Sequence, residues 1–307
     1  MKIKQTQLFI LACILCCAPA VPGQNPDLRL LLKVPNAVAI EGMPEIGYYI
    51  LSADDTVYHY GTSGSGLQFS GRFSLQGTDA YGIDVTVIRD NNQDSIAVTE
   101  WSDKIRLGYV NRYSTEGRLI HSWSTLHHIP AGIDYDPGSH VLYFGTSDSN
   151  ELYAVDIHEN NPHYVCDVQG AAHLGPISLD PDRQLIYVTD SRGSLFVVDL
   201  RTRKTALLTS SFGLASALHF DSKTGILYVA DIVQKKIYAV DPSSQNNRPV
   251  VDSAQIRSPS GLALGPDNTL LITDQRSGGV FLMHIAASET RQGIVRRQAD
   301  KKLQHKP

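Results

Sequence analysis

The feature that most constrains this chain is a pattern of short apolar runs that returns about every 45 residues, a period typical of propeller blades. The clearest copies begin at Gly132, Pro176 and Ala217, and a fourth copy in the same frame begins at Ser260. Each copy contains several strand-like runs, separated by turns rich in Asp, Pro and Gly. We therefore predict an all-β fold, a six-bladed β-propeller with four-stranded antiparallel blades.

One apolar residue of each innermost strand marks the start of a blade. The predicted markers are Val38, Ile83, Ile133, Ile177, Leu218 and Leu262. They lie 41 to 50 residues apart, and further strand-like runs follow each of them. This spacing assigns the propeller to residues 24–285.

The two ends of the chain suggest how the ring closes. The run Asp27–Val34 precedes the first marker just as fourth strands precede the later markers, and the last unit has no clear strand pattern after Ile285. We expect the N-terminal strand to complete the last blade and cover its edge. The alternative uses Thr290–Arg297 as the fourth strand, although its central glycine and terminal arginines fit a strand less well.

Residues 1–23 have the pattern of an export signal. Lys2 and Lys4 precede the short apolar run Leu8–Ala18, and Ala18-Pro-Ala20 offers small residues for cleavage. The apolar run is too short to span a bilayer, and no later segment is long enough. We expect a secreted or periplasmic protein with no transmembrane segment.

Charge and cysteine content narrow the classes of partner. Cys166 is the single cysteine outside the signal, so we expect no internal disulfide. The net charge is −4, and residues 286–307 form a basic tail, so the rest of the chain is more acidic still. An acidic body argues against nucleic acid as the partner. The tail could contact an anionic surface, and a solvated tail is the alternative. We expect a monomer.

Two segments carry a resemblance to known families. Leu227–Asp241 resembles the second and third strands of NHL and YWTD propellers, and Pro259–Asn268 resembles the start of their blades. More loosely, the chain is similar to the senescence-marker-protein/gluconolactonase family. The resemblance covers about residues 27–285 and implies the propeller fold. It leaves the activity open, because such propellers serve both as enzymes and as binding scaffolds.

The gluconolactonase-like comparison implies a specific metal site. Those enzymes hold a divalent cation with Glu, Asn and Asp side chains placed two residues before each marker. In this chain the corresponding ring is Asn36, Tyr81, Ala131, Gly175, Ser216 and Ser260. The ring has one possible ligand and no carboxylate, so we expect the metal centre of that family to be absent or rebuilt elsewhere.

Acidic residues end most of the second strands. They are Glu100, Asp190, Asp231 and Asp274. Loops that follow second strands open on the same face as loops that precede first strands, so these carboxylates could form a rim that attracts a cation or a polyol. The alternative is that each carboxylate accepts backbone N–H groups of its own turn.

Histidines provide a second candidate set. His127, His128 and His173 precede blades three and four on that face and could bind zinc or act as a general base. The alternative is that they are ordinary loop histidines, since no fixed metal-binding spacing is present. His219 and His284 lie within strands, where we expect a structural role.

These patterns favour a binding protein over an enzyme. We expect a ligand site where the loops converge on the axis, with a rim of the four carboxylates. Its predicted residues are Asn36, Tyr81, His128, His173, Ser216 and Ser260. The ligand would be a small molecule, a carbohydrate or a protein or peptide, with no certain cofactor. The alternative is a metal-dependent hydrolase, lactonase- or esterase-like, or a lyase of the gluconolactonase-like group, with a rebuilt metal site. The cation would be calcium or zinc. A third possibility is assembly into an envelope or matrix complex.

Overall fold

The computed structural model describes residues 28–63, 66–75, 80–90 and 93–285. Over these ranges, 24 strands form six four-stranded antiparallel sheets arranged around a ring, which confirms the predicted six-bladed β-propeller. The predicted signal, the basic tail and the alternative strand at 290–297 lie outside the described residues. Within the described part of the chain, no helix has the length and apolarity to cross a membrane.

The first three blades follow one another along the chain. Blade one contains β2 (Ala37–Met43), β3 (Gly47–Ser52), β4 (Thr56–Ser63) and β5 (Gly66–Ser74). Blade two contains β6 (Tyr81–Ile88), β7 (Ser95–Ser102), β8 (Leu107–Ser114) and β9 (Leu119–Ser124). Blade three contains β10 (Pro130–Asp136), β11 (Val141–Thr146), β12 (Glu151–Asp156) and β13 (His163–Asp167).

The last three blades complete the ring. Blade four contains β14 (Leu174–Asp180), β15 (Leu185–Asp190), β16 (Leu195–Asp199) and β17 (Lys204–Thr209). Blade five contains β18 (Ala215–Asp221), β19 (Ile226–Asp231), β20 (Lys236–Asp241) and β21 (Asn246–Asp252). Blade six contains β22 (Pro259–Gly265), β23 (Thr269–Asp274), β24 (Gly279–His284) and, from the start of the chain, β1 (Leu28–Lys33).

The ring closes through the N-terminal strand, as predicted. β1 pairs antiparallel with β24, with Leu28 opposite Met283. The Val34 N–H donates to the Gly278 carbonyl at 2.7 Å just beyond this pairing. Because β1 precedes blade one in the chain, the sheet of blade six contains both the first and the last strand of the described residues.

The apolar core lies between neighbouring blades. One cluster packs Tyr49 and Leu51 of blade one against Val85 and Val98 of blade two, and equivalent clusters lie between other blades. Second strands are covered by a neighbouring blade on both faces, so that every residue of β19 is buried. This double burial explains why the second strands read as nearly continuous apolar runs.

Candidate functional site

The six innermost strands (β2, β6, β10, β14, β18 and β22) line a channel along the axis of the ring, and each packs against the next. Each begins with a β-bulge in its pairing with the second strand of its blade. We call the end where these strands begin the upper mouth and the end where they finish the lower mouth.

The bulge sets the true alignment of the blades. Equivalent residues lie three positions before the end of each innermost strand. They are Ile40, Val85, Ile133, Ile177, Leu218 and Leu262. The predicted markers Val38 and Ile83 are therefore wrong by two residues. The tripeptide Gly-Ile-Asp begins at both Gly82 and Gly132, but Ile83 lies two residues before the aligned position of its blade, whereas Ile133 lies at that position. Alternation of apolar residues along a strand fits both alignments, so it could not distinguish them.

The corrected ring surrounds a cavity of about 230 Å³ at the upper mouth. The six residues that lie two positions before the aligned ones all line this cavity. They are Val38, Ile83, Ala131, Gly175, Ser216 and Ser260. The Ser216 hydroxyl donates to the Pro259 carbonyl at 2.6 Å, and the Ser260 hydroxyl donates to the Ala37 carbonyl at 2.6 Å. Both serines therefore join neighbouring blades, and the upper mouth presents small and apolar side chains to the channel.

Asn36 and Tyr81 were expected in this ring, and they lie outside it. Asn36 is exposed in the turn between β1 and β2, in a left-handed conformation with φ of 50°. Tyr81 is exposed at the first residue of β6. Neither side chain lines the upper cavity. The two-residue register error explains both placements, and it removes the ring's one possible metal ligand.

The two predicted histidines are not brought together. His128 lies over blade three, where its Nδ1 is 3.6 Å from Asp148 Oδ2 and its Nε2 is 3.5 Å from Glu151 Oε2. The hydroxyl of Tyr153 lies 3.3 Å from the same Nε2. His173 is exposed, and its carbonyl accepts the Ser191 N–H at 2.9 Å. Neither histidine lines the channel cavities.

Three of the predicted rim carboxylates are buried and hydrogen-bonded to backbone. Asp190, Asp231 and Asp274 each accept at least three N–H groups, from their own turn and from the loop that precedes the blade. The donors are Ala172, Arg192, Ser194, Gly213, Leu214, Val233, Gln234, Arg257, Ser258 and Ser277. These carboxylates thus stabilise the joint between turn and loop in each blade, which is the alternative role considered for them.

Glu100 differs from the other rim residues. It is fully buried within blade two, where the Tyr113 hydroxyl donates to its Oε1 at 2.6 Å. Burial raises the pKa of Glu100, against the lowering effect of the bonds from Tyr113 and Asn111. Its predicted position on an open rim is therefore wrong.

The lower mouth opens on a larger cavity of about 550 Å³ that is lined by both apolar and charged residues. Its charged and titratable lining residues are Glu41, Glu45, Asp134, His219, Asp221, Lys223 and Asp267. Five carboxylates therefore face one lysine and one histidine. The net charge of this lining is negative, in contrast with the apolar upper mouth.

Two carboxylates deep in the channel link successive blades. Asp84 Oδ2 accepts the Ile133 N–H at 3.1 Å, and Asp134 Oδ2 accepts the Leu179 N–H at 2.8 Å. Burial raises the pKa of each carboxyl to about 7, although these backbone N–H groups favour the ionised form. The negative charge of Glu41 contributes to both of these raised pKa values.

An imidazole completes this group. His219 Nδ1 lies 3.6 Å from Glu41 Oε2. Burial alone would lower the pKa of His219, but the carboxylates of Glu41 and Asp134 outweigh burial, and the pKa lies above its usual value. We call Glu41, Asp84, Asp134 and His219 the channel cluster.

The channel cluster was missed at the level of sequence, where His219 was assigned only a structural role. The available signal was charge inside apolar strands: Asp84 and Asp134 both follow a Gly-Ile pair in innermost strands that otherwise read as core. Acidic residues in such strands require a partner or a function.

Comparison with known protein families and with curated proteins found no match to this chain.

Proposed function

We propose that this protein is a binding module whose central channel holds a small, positively charged ligand at the lower mouth. The observation that carries the proposal is the channel cluster, in which three carboxylates are accompanied by a single imidazole. Burial is the main cause of the raised pKa values of Asp84 and Asp134, and the His219 imidazole lowers the pKa of Asp134 only in part. Additional positive charge would favour the ionised form of both carboxyls. A ligand amine or guanidinium would supply that charge.

The dimensions and charge of the lower mouth support this choice. Its volume of about 550 Å³ lies in the range of about 300–1,000 Å³ that small-molecule sites occupy. The upper cavity is less than half as large, and among its lining residues Asp84, at the depth of the channel cluster, is the one that can carry a charge. The five carboxylates of the lower mouth would attract cations and repel phosphate groups.

We propose binding without turnover because the hydroxyl groups in the channel wall are already engaged in hydrogen bonds with the backbone. The hydroxyls of Ser216 and Ser260 donate to backbone carbonyls, and the Ser178 Oγ accepts the Phe220 N–H at 2.9 Å. Away from the channel, Cys166 is buried in the outermost strand of blade three, and burial raises the pKa of its thiol. The alternative of a lactonase-like enzyme is less well supported, because the corrected ring places Val38 and Ile83 where that family resemblance implies metal ligands.

We further propose that the protein acts after export and as a monomer. The support is the signal-like sequence of residues 1–23 and the β1 strand, which covers the open edge of the last blade within the same chain. An amino sugar or a small amine would be a suitable ligand in an exported protein of this kind.

The test is calorimetric titration of the purified protein with matched pairs of probes. Glucosamine is compared with glucose, and putrescine with butanediol, so that each pair differs chiefly in charge. We expect the charged member of at least one pair to bind and its neutral counterpart not to bind. Glu41→Gln should weaken that binding at least about tenfold, because it removes one charge from the channel cluster.

Two control variants locate the site. Glu45→Gln removes an exposed carboxylate at the same mouth and should change the affinity by less than about threefold, as screened surface charges do. Ala131→Leu narrows the upper cavity and should have no effect. Neutral probes that bind as well as charged ones would contradict the proposal. So would binding that is lost in Ala131→Leu and kept in Glu41→Gln.

A further inference from the structure

A second group of titratable side chains lies away from the channel, on the lower side of blades two and three. Asp90 follows β6, His140 lies in the hairpin between β10 and β11, and His158 lies in the turn after β12. One ligand atom from each residue lies within 4.8 Å of the other two. Three loops from two blades thus direct two imidazoles and a carboxylate at one point.

Backbone contacts hold the two histidines in place. The His140 carbonyl accepts the Ile157 N–H at 3.0 Å, so the hairpin of His140 is tied to the residue before His158. The Asp156 carboxylate accepts the His158 N–H at 2.8 Å and forms the turn that presents this side chain. The two rings lie 5.7 Å apart between centroids, at an angle of 61°.

The surroundings of His140 determine which of its ring nitrogens carries the proton. The Tyr135 hydroxyl donates to the Arg89 carbonyl at 3.3 Å and lies 3.1 Å from His140 Nδ1. A phenol has one proton, so both contacts are satisfied when His140 carries its proton on Nδ1 and donates it to Tyr135. That tautomer leaves the lone pair of Nε2 free to bind a metal.

Asp90 is oriented by an arginine. Arg112 Nη2 lies 3.5 Å from Asp90 Oδ2, and Arg112 Nε donates to Ser95 Oγ at 2.8 Å. The nearby guanidinium reduces the negative charge that a metal would experience. The site therefore suits a cation that binds imidazole nitrogen, and it suits hard cations such as calcium poorly, because those require several oxygen ligands.

We propose that Asp90, His140 and His158 form a zinc site that joins blades two and three. Zinc binds imidazole and carboxylate at about 2.0–2.2 Å, and three protein ligands leave its fourth position to water. The ligand atoms must move closer together for these bond lengths, and the exposed side chain of His158 has the freedom to do so. Bound zinc would add a cross-link between blades two and three.

The test is zinc binding by calorimetry and by metal analysis after dialysis, with the full chain. We expect one zinc ion per protein to be lost or bound at least about tenfold more weakly in both His140→Ala and His158→Ala. His163→Ala is the matched control, because His163 is an exposed histidine of blade three outside the group. It should keep the native affinity.

A second variant separates this site from general surface binding. Tyr135→Phe leaves all three ligands in place and removes only the hydroxyl that orients His140, so zinc affinity should fall about tenfold while the fold is kept. Zinc should also raise the melting temperature of the native protein and of His163→Ala, but not that of His158→Ala. Zinc affinity that is unchanged in the His140→Ala/His158→Ala double variant would overturn the proposal.

Discussion

The carboxylate of Asp84 accepts the backbone N–H of Ile133 at 3.1 Å, so a side chain of blade two fixes the innermost strand of blade three. Asp134 repeats the arrangement one blade later with the Leu179 N–H, and Ser178 does so with the Phe220 N–H. Three junctions of the ring therefore depend on polar side chains in the channel wall. Two of these side chains, Asp84 and Asp134, also belong to the channel cluster. The stability of the ring therefore depends on the protonation state of this cluster.

The first prediction follows from the raised pKa values of this cluster. Between about pH 4 and pH 7 the folded protein keeps protons on Asp84 and Asp134 that the unfolded chain has lost, so stability falls as the pH rises through this window. His219, whose pKa is also raised, acts in the same direction, since its stabilising charge is lost at high pH. We expect the melting temperature at pH 8 to be about 5 °C lower than at pH 5.5, measured by calorimetry.

The matched variants for this prediction are two glutamates of the lower mouth. Glu41→Gln removes a charge that contributes to all three raised pKa values and should make the pH dependence less steep, while burial of Asp84 and Asp134 keeps part of it. Glu45→Gln, which is exposed, should leave the profile unchanged. A native protein whose melting temperature rises from pH 5.5 to pH 8 would contradict the assignment.

The second prediction concerns the close approach of blades three and four. A Cβ atom on Gly132 would lie 2.5 Å from the Ile177 nitrogen and 2.6 Å from the Pro176 Cα. Both neighbours are backbone atoms of the next blade, so they can move only if the two blades separate. We expect Gly132→Ala to reduce the free energy of unfolding by about 3 kcal/mol, measured by urea denaturation.

Gly71→Ala is the control for the blade contact. A Cβ at Gly71 meets nothing within 4 Å. Its effect should stay below about 1 kcal/mol in either direction. Similar losses for the two variants would show that the space between blades three and four is less restricted than the structure indicates.

The sequence was sufficient to predict the fold because the blade period is a property of the whole chain. The spacing of about 45 residues and the turn residues Asp, Pro and Gly recur from unit to unit. In a ring of six four-stranded blades, the strand Asp27–Val34 had no partner other than the last blade. The register of blades one and two could not be read in the same way. Val38 and Ile40 are both apolar and stand two positions apart, so alternation along the strand fits either one and only the bulge in the backbone distinguishes them.

The channel cluster could not be predicted for a different reason. Its four residues come from four blades, and only the closed ring brings Glu41 within 3.6 Å of His219, which is 178 positions later in the chain. A local pattern cannot show such a contact. By contrast, the role of Asp231 is local to its turn and a neighbouring loop, and a repeated acidic residue at strand ends was enough to suggest it.

The third prediction tests that structural role. Asp231 is fully buried and accepts the N–H groups of Gly213, Val233 and Gln234 at 2.6 to 2.9 Å. Asp231→Ala leaves these donors without their acceptor, so we expect a loss of about 3 kcal/mol in the free energy of unfolding. Urea denaturation provides the measurement.

Asp252→Ala is the comparison within the same blade. Its side chain is 66% exposed and pairs with Lys236 at 2.8 Å on the surface. An exposed ion pair of this kind contributes less than about 1 kcal/mol. If the Asp231→Ala variant were as stable as the Asp252→Ala variant, the result would favour a ligand-binding role for the rim carboxylates over a structural one.

The last prediction concerns closure of the ring by β1. Leu28 is 8% exposed and packs in the same cluster as Phe281 and Met283 of the last blade, whereas Leu30 in the same strand is 45% exposed. Leu28→Ala should therefore lower the free energy of unfolding by about 2–3 kcal/mol, and Leu30→Ala by less than about 1 kcal/mol. Deleting residues 27–34 strips the outer strand from the last blade and should cause unfolding or aggregation. Deleting residues 286–307 should leave the melting temperature nearly unchanged, and equal damage from the two truncations would show that β1 alone does not close the ring.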